Sequence, residues 1–135
     1  MIKSSEQVVC TFPSVSFSAR QARRFVRAEL SQLAGAEAVV DDLDLVVSEL
    51  VANAIQHGDG SNIVVSVDGR SAIWFAVAVS NGVATSRPPM DPTTWAVAAT
   101  DQPSGRGLGI VRRLAEEIDV AESDGNLHVT CRRRR

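Results

Sequence analysis

Val47-Ser-Glu-Leu-Val-Ala-Asn-Ala-Ile-Gln-His-Gly58 is the stretch on which the fold turns. Leu43, Val46, Val47, Leu50 and Ala54 recur at helical period and make one apolar stripe, with Val51 at its border. Asp41 or Asp42 opens this helix and Gly58 stops it. Asp42, Glu49, Asn53 and Gln56 share a polar flank, and Glu49 and Asn53, one turn apart, project from one face. Asn is a poor helix-interior residue because its side chain competes for backbone hydrogen bonds, so Asn53 asks for a reason. An ordinary solvated flank is one. The other is an oxygen ligand for Mg²⁺ bridging a triphosphate, since Mg²⁺ takes hard oxygen donors, few of them from protein. Glu49 would then position or deprotonate a nucleophile. His57 sits near the helix end, where a cation is favoured.

A second motif follows downstream. Gly105-Arg-Gly-Leu-Gly109 reads as a glycine-rich turn feeding an amphipathic helix built on Leu108, Ile110, Val111, Leu114, Ala115 and Ile118. Free N–H groups at such a helix start suit phosphate oxygens. It is not a Walker loop, because no Lys-Ser or Lys-Thr follows. It is not a dinucleotide fingerprint either, because Ile110 takes the third glycine position. A plain glycine hinge is the alternative. Arg106 either adds charge near the phosphates or faces water.

Between the motifs, 62–68 and 71–80 read as strands joined at Asp68-Gly69-Arg70, a hairpin signal. The second of them is apolar on both faces and is therefore expected to be central. It ends at Ser80-Asn81-Gly82, where Asn81 either reads a base edge or forms a turn with Gly82. The proline-rich stretch 83–106 is expected to be a functional loop, with a short helix at 95–99. Upstream, Val8–Phe12 is a strand stopped by Pro13. Ser18 and Gln21 fit a capping box before a helix with Ala22, Phe25, Val26, Leu30 and Leu33 on its apolar stripe, ended by Gly35. Arg20, Arg23 and Arg24 on that helix form either a docking surface or a solvated face. Strands at 119–121 and 127–131 flank Asp124-Gly125-Asn126 as a closing hairpin.

Three helices and five or so strands, joined by hairpins rather than βαβ units, predict an α+β two-layer sandwich. In it the helices pack on one face of a mixed, largely antiparallel sheet. The 135 residues suit one domain, 1–135, that buries roughly two-thirds of its unfolded surface. Apolar residues make up 44%, with four Phe, two Trp and no Tyr, so the core is aliphatic. A net charge of −2 argues against a nucleic-acid partner. Arg132–Arg135, the one basic run, reads as a solvated tail or an electrostatic tether. No secretory signal or membrane span is expected. Cys10 and Cys131 fall in the two outermost predicted strands and read as reduced thiols, consistent with a cytoplasmic protein.

With these residues in view, the chain resembles the histidine-kinase-like (Bergerat-type) ATPase superfamily, from about Phe12 to Val129. It is most similar in style to its stand-alone bacterial branch, the anti-sigma-factor serine kinases of the RsbW and SpoIIAB type. The resemblance rests on 47–58 and 104–115, with the Ala22-Arg-Arg-Phe-Val26 helix in the same style. It implies an ATP–Mg²⁺ site in which Asn53 ligands the metal and Glu49 is the general base. His57, Asn81, Gly82, Gly105, Arg106, Gly107, Leu108 and Gly109 would complete the nucleotide-binding set, with 83–104 as the lid. It implies a sigma factor and a STAS-domain antagonist as partners, phosphorylation of the latter on serine or threonine, and a homodimer.

The chain departs from the family at the middle box, which usually opens with Asp; the matching residue is Asn81. A carboxamide oxygen still accepts from an adenine amino group, without charge assistance. The second glycine of that box is missing, with Ala84 or Thr85 near its place. A weakly catalytic or inactive partner-binding module is the alternative.

Overall fold

The structure is a computed structural model that describes residues 2–4, 7–83, 92–94 and 106–135. The elements run β1 (Ile2–Ser4), β2 (Gln7–Phe12), α1 (Ser18–Gln32), α2 (Glu37–His57), β3 (Ile63–Asp68) and β4 (Trp74–Gly82). After a 3-10 turn at Pro92–Thr94 come α3 (Arg106–Leu114), β5 (Glu117–Ser123) and β6 (Asn126–Arg134). The six strands form one sheet in the order β1-β2-β3-β4-β6-β5, and every pairing is antiparallel. The helices cover one face, as the two-layer α+β reading expects. Among the described residues the sheet has six strands, where five or so are expected, and no parallel pair.

Alternation along the strands decides which face the helices cover. On β3 and β4, Ile63, Val65, Val67, Phe75, Val77 and Val79 are buried, while Val64, Ser66, Ala76 and Ala78 between them are only half-buried. From the helices, Ala22, Val26, Leu30, Leu43, Val46, Val47, Leu50, Val51 and Ala54 meet this face. Each large aliphatic buried here contributes about 1.5–3 kcal/mol. β4 lies between β3 and β6, so its central place holds.

Several local readings change. Ser18 does not cap α1: its hydroxyl donates to the Pro13 carbonyl at 2.6 Å, and no side chain bonds the helix start. α2 begins at Glu37, ahead of Asp41 and Asp42, because those acids serve arginines elsewhere. Arg27 pairs with Asp41 at 2.7 Å and Arg133 with Asp42 at 3.0 Å. The Asp68–Gly69–Arg70 turn is wider than a tight hairpin, since β4 starts only at Trp74. Ser71 Oγ closes it by accepting from the N–H groups of Ile73 and Trp74. α3 ends at Leu114, so Ile118 belongs to β5, because the Glu116 N–H already donates to the Arg132 carbonyl. The β5–β6 turn does fit its sequence: Asp124 and Gly125 both take positive φ, +53° and +76°.

The four terminal arginines are not a solvated tail. Arg132 to Arg134 complete β6, where Arg132 bonds Asp119 at 2.5 Å and Arg133 ties Asp42 of α2 to Glu116. Arg134 lies 5.3 Å over the Trp74 ring and Arg135 4.3 Å over that of Phe75. Cys10 and Cys131 are free thiols one strand in from each edge, not on the edges. Burial pushes the Cys131 thiol up to about 12, which keeps it protonated and inert.

Asp44 clasps α2 to α1. Burial pushes its carboxyl up, but hydrogen bonds from Arg23 (2.7 Å) and Arg27 (2.8 Å) outweigh that and hold it below the ordinary carboxylate range. A carboxyl lowered in the native state stabilises fully above its unfolded value and loses that contribution as pH falls through the native one. Both guanidiniums are about half exposed, so Asp44→Ala is expected to cost about 1–3 kcal/mol at neutral pH rather than the toll of a wholly buried pair. Urea denaturation checks this, and the gap between the two proteins should shrink as the buffer is taken below the carboxylate range.

Candidate functional site

The two sequence motifs meet in space. α2 packs along α3, and the Glu49 side chain lies against Gly107: a Cβ at Gly107 would stand 2.7 Å from Glu49 Oε2. Gly107, Leu108 and Gly109 sit inside the first turns of α3, not in a turn preceding it. Glycine in a helix costs up to about 1 kcal/mol against alanine, so its presence calls for a local cause. At Gly107 the cause is the approach of Glu49. Val111, on the same helix, is fully buried and fixes α3 against the core.

Glu49 and Asn53 are both half-buried, one turn apart on α2. Neither side chain makes a hydrogen bond or ion pair among the described residues. The stripe on the opposite side of α2 is buried to the last residue, Leu50 and Ala54 included, so packing fixes which way this flank faces. A carboxylate beside Gly107 of α3 and, one turn along α2, a carboxamide oxygen are therefore both uncommitted among the described residues. Hard oxygen donors of this kind fit Mg²⁺.

The base end of the expected site lies at the C-terminal end of α2. His57 is its last residue, half-buried, and Gly58 follows in extended conformation. Asn81 is buried, and its Nδ2 would stand 2.9 Å from a Cβ placed on Gly58. Nine residues separate Glu49 from Gly58, about 13 Å along a helix. Gly82 is the last residue of β4 and is crowded by Asp59, whose two carboxylate oxygens occupy the place of a side chain. The hydroxyl and N–H of Ser61 hold the Asp59 carboxyl below its ordinary range. Sequence reading singled out neither Asp59 nor Ser61. Their signal is an Asx turn, Asp-x-Ser, directly after the helix-stopping glycine. Gly105, the side chain of Arg106, the short helix at 95–99 and nearly all of the lid lie outside the described residues.

A hollow of about 450 Å³ lies elsewhere, on the helix-free face of the sheet between Asp68, Trp74 and Arg132. Its arginines are committed, Arg70 to Asp68 and Arg132 to Asp119, so its size is not matched by free chemistry. On α1, Arg23 is likewise spent on Asp44, while Arg20 and Arg24 are exposed and form no ion pair among the described residues. No described helix is long and apolar enough to cross a membrane.

Comparison with known proteins follows the same lines. The family described as histidine kinase-like ATPase domain matches residues 12–133. No curated protein matches the chain in sequence. Among solved structures, the chain is similar to the RsbU and RsbW domains of Rv1364c from Mycobacterium tuberculosis, at 21% identity and a TM-score of 0.67. That match covers 95% of this chain and 32% of the other, so this chain spans about a third of its length. It is also similar to a chain of the SiaB-SiaC complex from Pseudomonas aeruginosa, at 16% identity and a TM-score of 0.61, covering 95% and 89%. At these identities the likeness is one of fold.

Proposed function

The chain belongs to the histidine kinase-like ATPase domain family, and we propose that it is a cytoplasmic regulatory protein kinase that uses Mg²⁺–ATP. Its substrate is a serine or threonine on a STAS-domain antagonist, and its other partner is a sigma factor, which it sequesters. A homodimer belongs to the same reading. The family description implies ATP binding. The partners rest on the resemblance to RsbW-type proteins and on likeness in fold to an RsbW-containing chain and to a chain of a two-protein complex.

One observation carries the reading: the Glu49 carboxylate lies against Gly107 of α3, with the Asn53 carboxamide one turn along, and neither has a partner among the described residues. Asn53 would hold Mg²⁺, which supplies charge neutralisation on the phosphates. The N–H groups at the start of α3 would receive the phosphoryl oxygens. Glu49 accepts the proton of the attacking hydroxyl as its oxygen bonds the γ-phosphorus. The bond to the β–γ bridging oxygen breaks, and ADP leaves with the electron pair. Most of the rate comes from positioning and charge stabilisation, for which a packed helix pair is suited.

The second reading is a partner-capturing module with little catalysis. Asn81 favours it, because a neutral acceptor holds adenine more weakly than a carboxylate. Incubation with γ-labelled ATP, Mg²⁺ and the STAS-domain proteins of the same organism separates the two. Label on a serine or threonine of one of them is the expected result. ATP bound with no label transferred to any of them would establish the module instead.

A further inference from the structure

Asn81 departs from the carboxylate usual at its position, and its surroundings give that departure a direction. Its Nδ2 donates to the Gly82 carbonyl at 2.9 Å. Gly82 is held from both sides: its N–H donates to Ser61 Oγ at 3.2 Å, and its carbonyl also accepts the Asp59 N–H at 3.1 Å. The Ser61 hydroxyl in turn donates to Asp59 Oδ1 at 2.5 Å, and the Ser61 N–H donates to the same oxygen at 2.9 Å. The Asp59 carboxylate lies over the Gly82 Cα, so a side chain at that position would have to displace it.

A carboxamide can present its nitrogen or its oxygen. Here the donor end is spent on the Gly82 carbonyl, which also accepts the Asp59 N–H, while Ser61 Oγ holds the N–H of the same residue. The acceptor end, Oδ1, has no hydrogen bond among the described residues, and the group lies at the Gly58 end of α2. We propose that Asp59 and Ser61 are positioning residues that set the polarity of Asn81, so that Oδ1 accepts from the 6-amino group of a purine. The site thereby selects adenine over a 6-oxo purine. The inference rests on the nucleotide-site reading above.

The selection follows from both orientations of the amide. Hypoxanthine presents a carbonyl oxygen where adenine presents an amine, so two acceptors would face each other. Turning the amide to meet it would set Oδ1 against the Gly82 carbonyl at the distance Nδ2 now occupies. Either way an acceptor is left opposed and unpaired, which is how a polar site rejects an analogue.

Calorimetric titration of the full chain with Mg²⁺–ATP and Mg²⁺–ITP tests this. ITP is expected to bind at least about tenfold more weakly than ATP. Ser61→Ala should shrink that ratio to about threefold or less with the melting temperature little changed, while Ser61→Thr, which keeps the hydroxyl, should preserve it. A purely structural role for Ser61 would move the melting temperature and leave the ratio alone. Equal binding of ATP and ITP by the unaltered protein, or an unchanged ratio in folded Ser61→Ala, would overturn the inference while leaving the nucleotide site standing. Binding of neither nucleotide would instead overturn the site itself.

Discussion

Glu49→Ala is expected to lower phosphoryl transfer by about 10²–10⁴-fold, the usual contribution of a positioned general base. Mg²⁺–ATP affinity should stay within about threefold of the unaltered protein, because the metal and phosphates are assigned to Asn53 and the start of α3. The fold should be indifferent, since Glu49 makes no hydrogen bond or ion pair among the described residues and alanine is the better helix former. Single-turnover transfer and nucleotide titration, run on the same preparation, separate the two effects. An unchanged rate would remove Glu49 from the mechanism.

Gly107→Ala should give the complementary result. The added methyl would come within 2.7 Å of Glu49 Oε2 and 3.5 Å of Glu49 Cβ. The nearer atom ends a flexible side chain, so the carboxylate yields rather than the backbone. Helix α3 gains up to about 1 kcal/mol from alanine at a helical position. Stability is therefore expected to hold or rise slightly. Transfer should fall by about 10–100-fold, because a displacement near 1 Å is enough to spoil a near-attack geometry. Urea denaturation and the transfer assay check the two halves. A more stable protein with full activity would mean that the Glu49–Gly107 contact plays no part in the chemistry.

How far the sequence discloses this molecule depends on whether a signal is local. The stripe from Leu43 to Ala54 needs only the helical period, and every one of its members is buried. The Asp124–Gly125 turn is as local as a signal can be. Charges are harder, because the residue that satisfies them is remote in sequence. Asp41 and Asp42 look like helix caps until Arg27 of α1 and Arg133 of β6 are brought beside them. Four arginines in a row look like a solvated tail until β5 supplies Asp119, the residue before it Glu116, and β4 the rings of Trp74 and Phe75. Ser18 illustrates competition at short range, its hydroxyl going to Pro13 instead of the helix start.

The candidate site divides in the same way. Glu49 and Asn53 on one helix face follow from spacing alone. The contact of Glu49 with Gly107 joins two distant segments and emerges only when α3 packs on α2. Gly107 and Gly109 read as a turn because glycine favours turns, whereas burial of Val111 draws them into the helix. The Asp59–Ser61–Gly82 knot depends on the end of β4 returning beside the end of α2, which no local pattern announces.

In the proposed site, α2 and α3 together hold a magnesium-bound nucleotide. Calorimetric titration with ATP, in the presence and absence of Mg²⁺, on the unaltered chain and on Asn53→Ala, addresses it most directly. Magnesium-dependent binding is expected, and Asn53→Ala should remove it while its melting temperature stays near that of the parent. No binding up to about millimolar ATP, a limit of about −4 kcal/mol in binding free energy, would contradict it, as would equal binding by the Asn53→Ala protein.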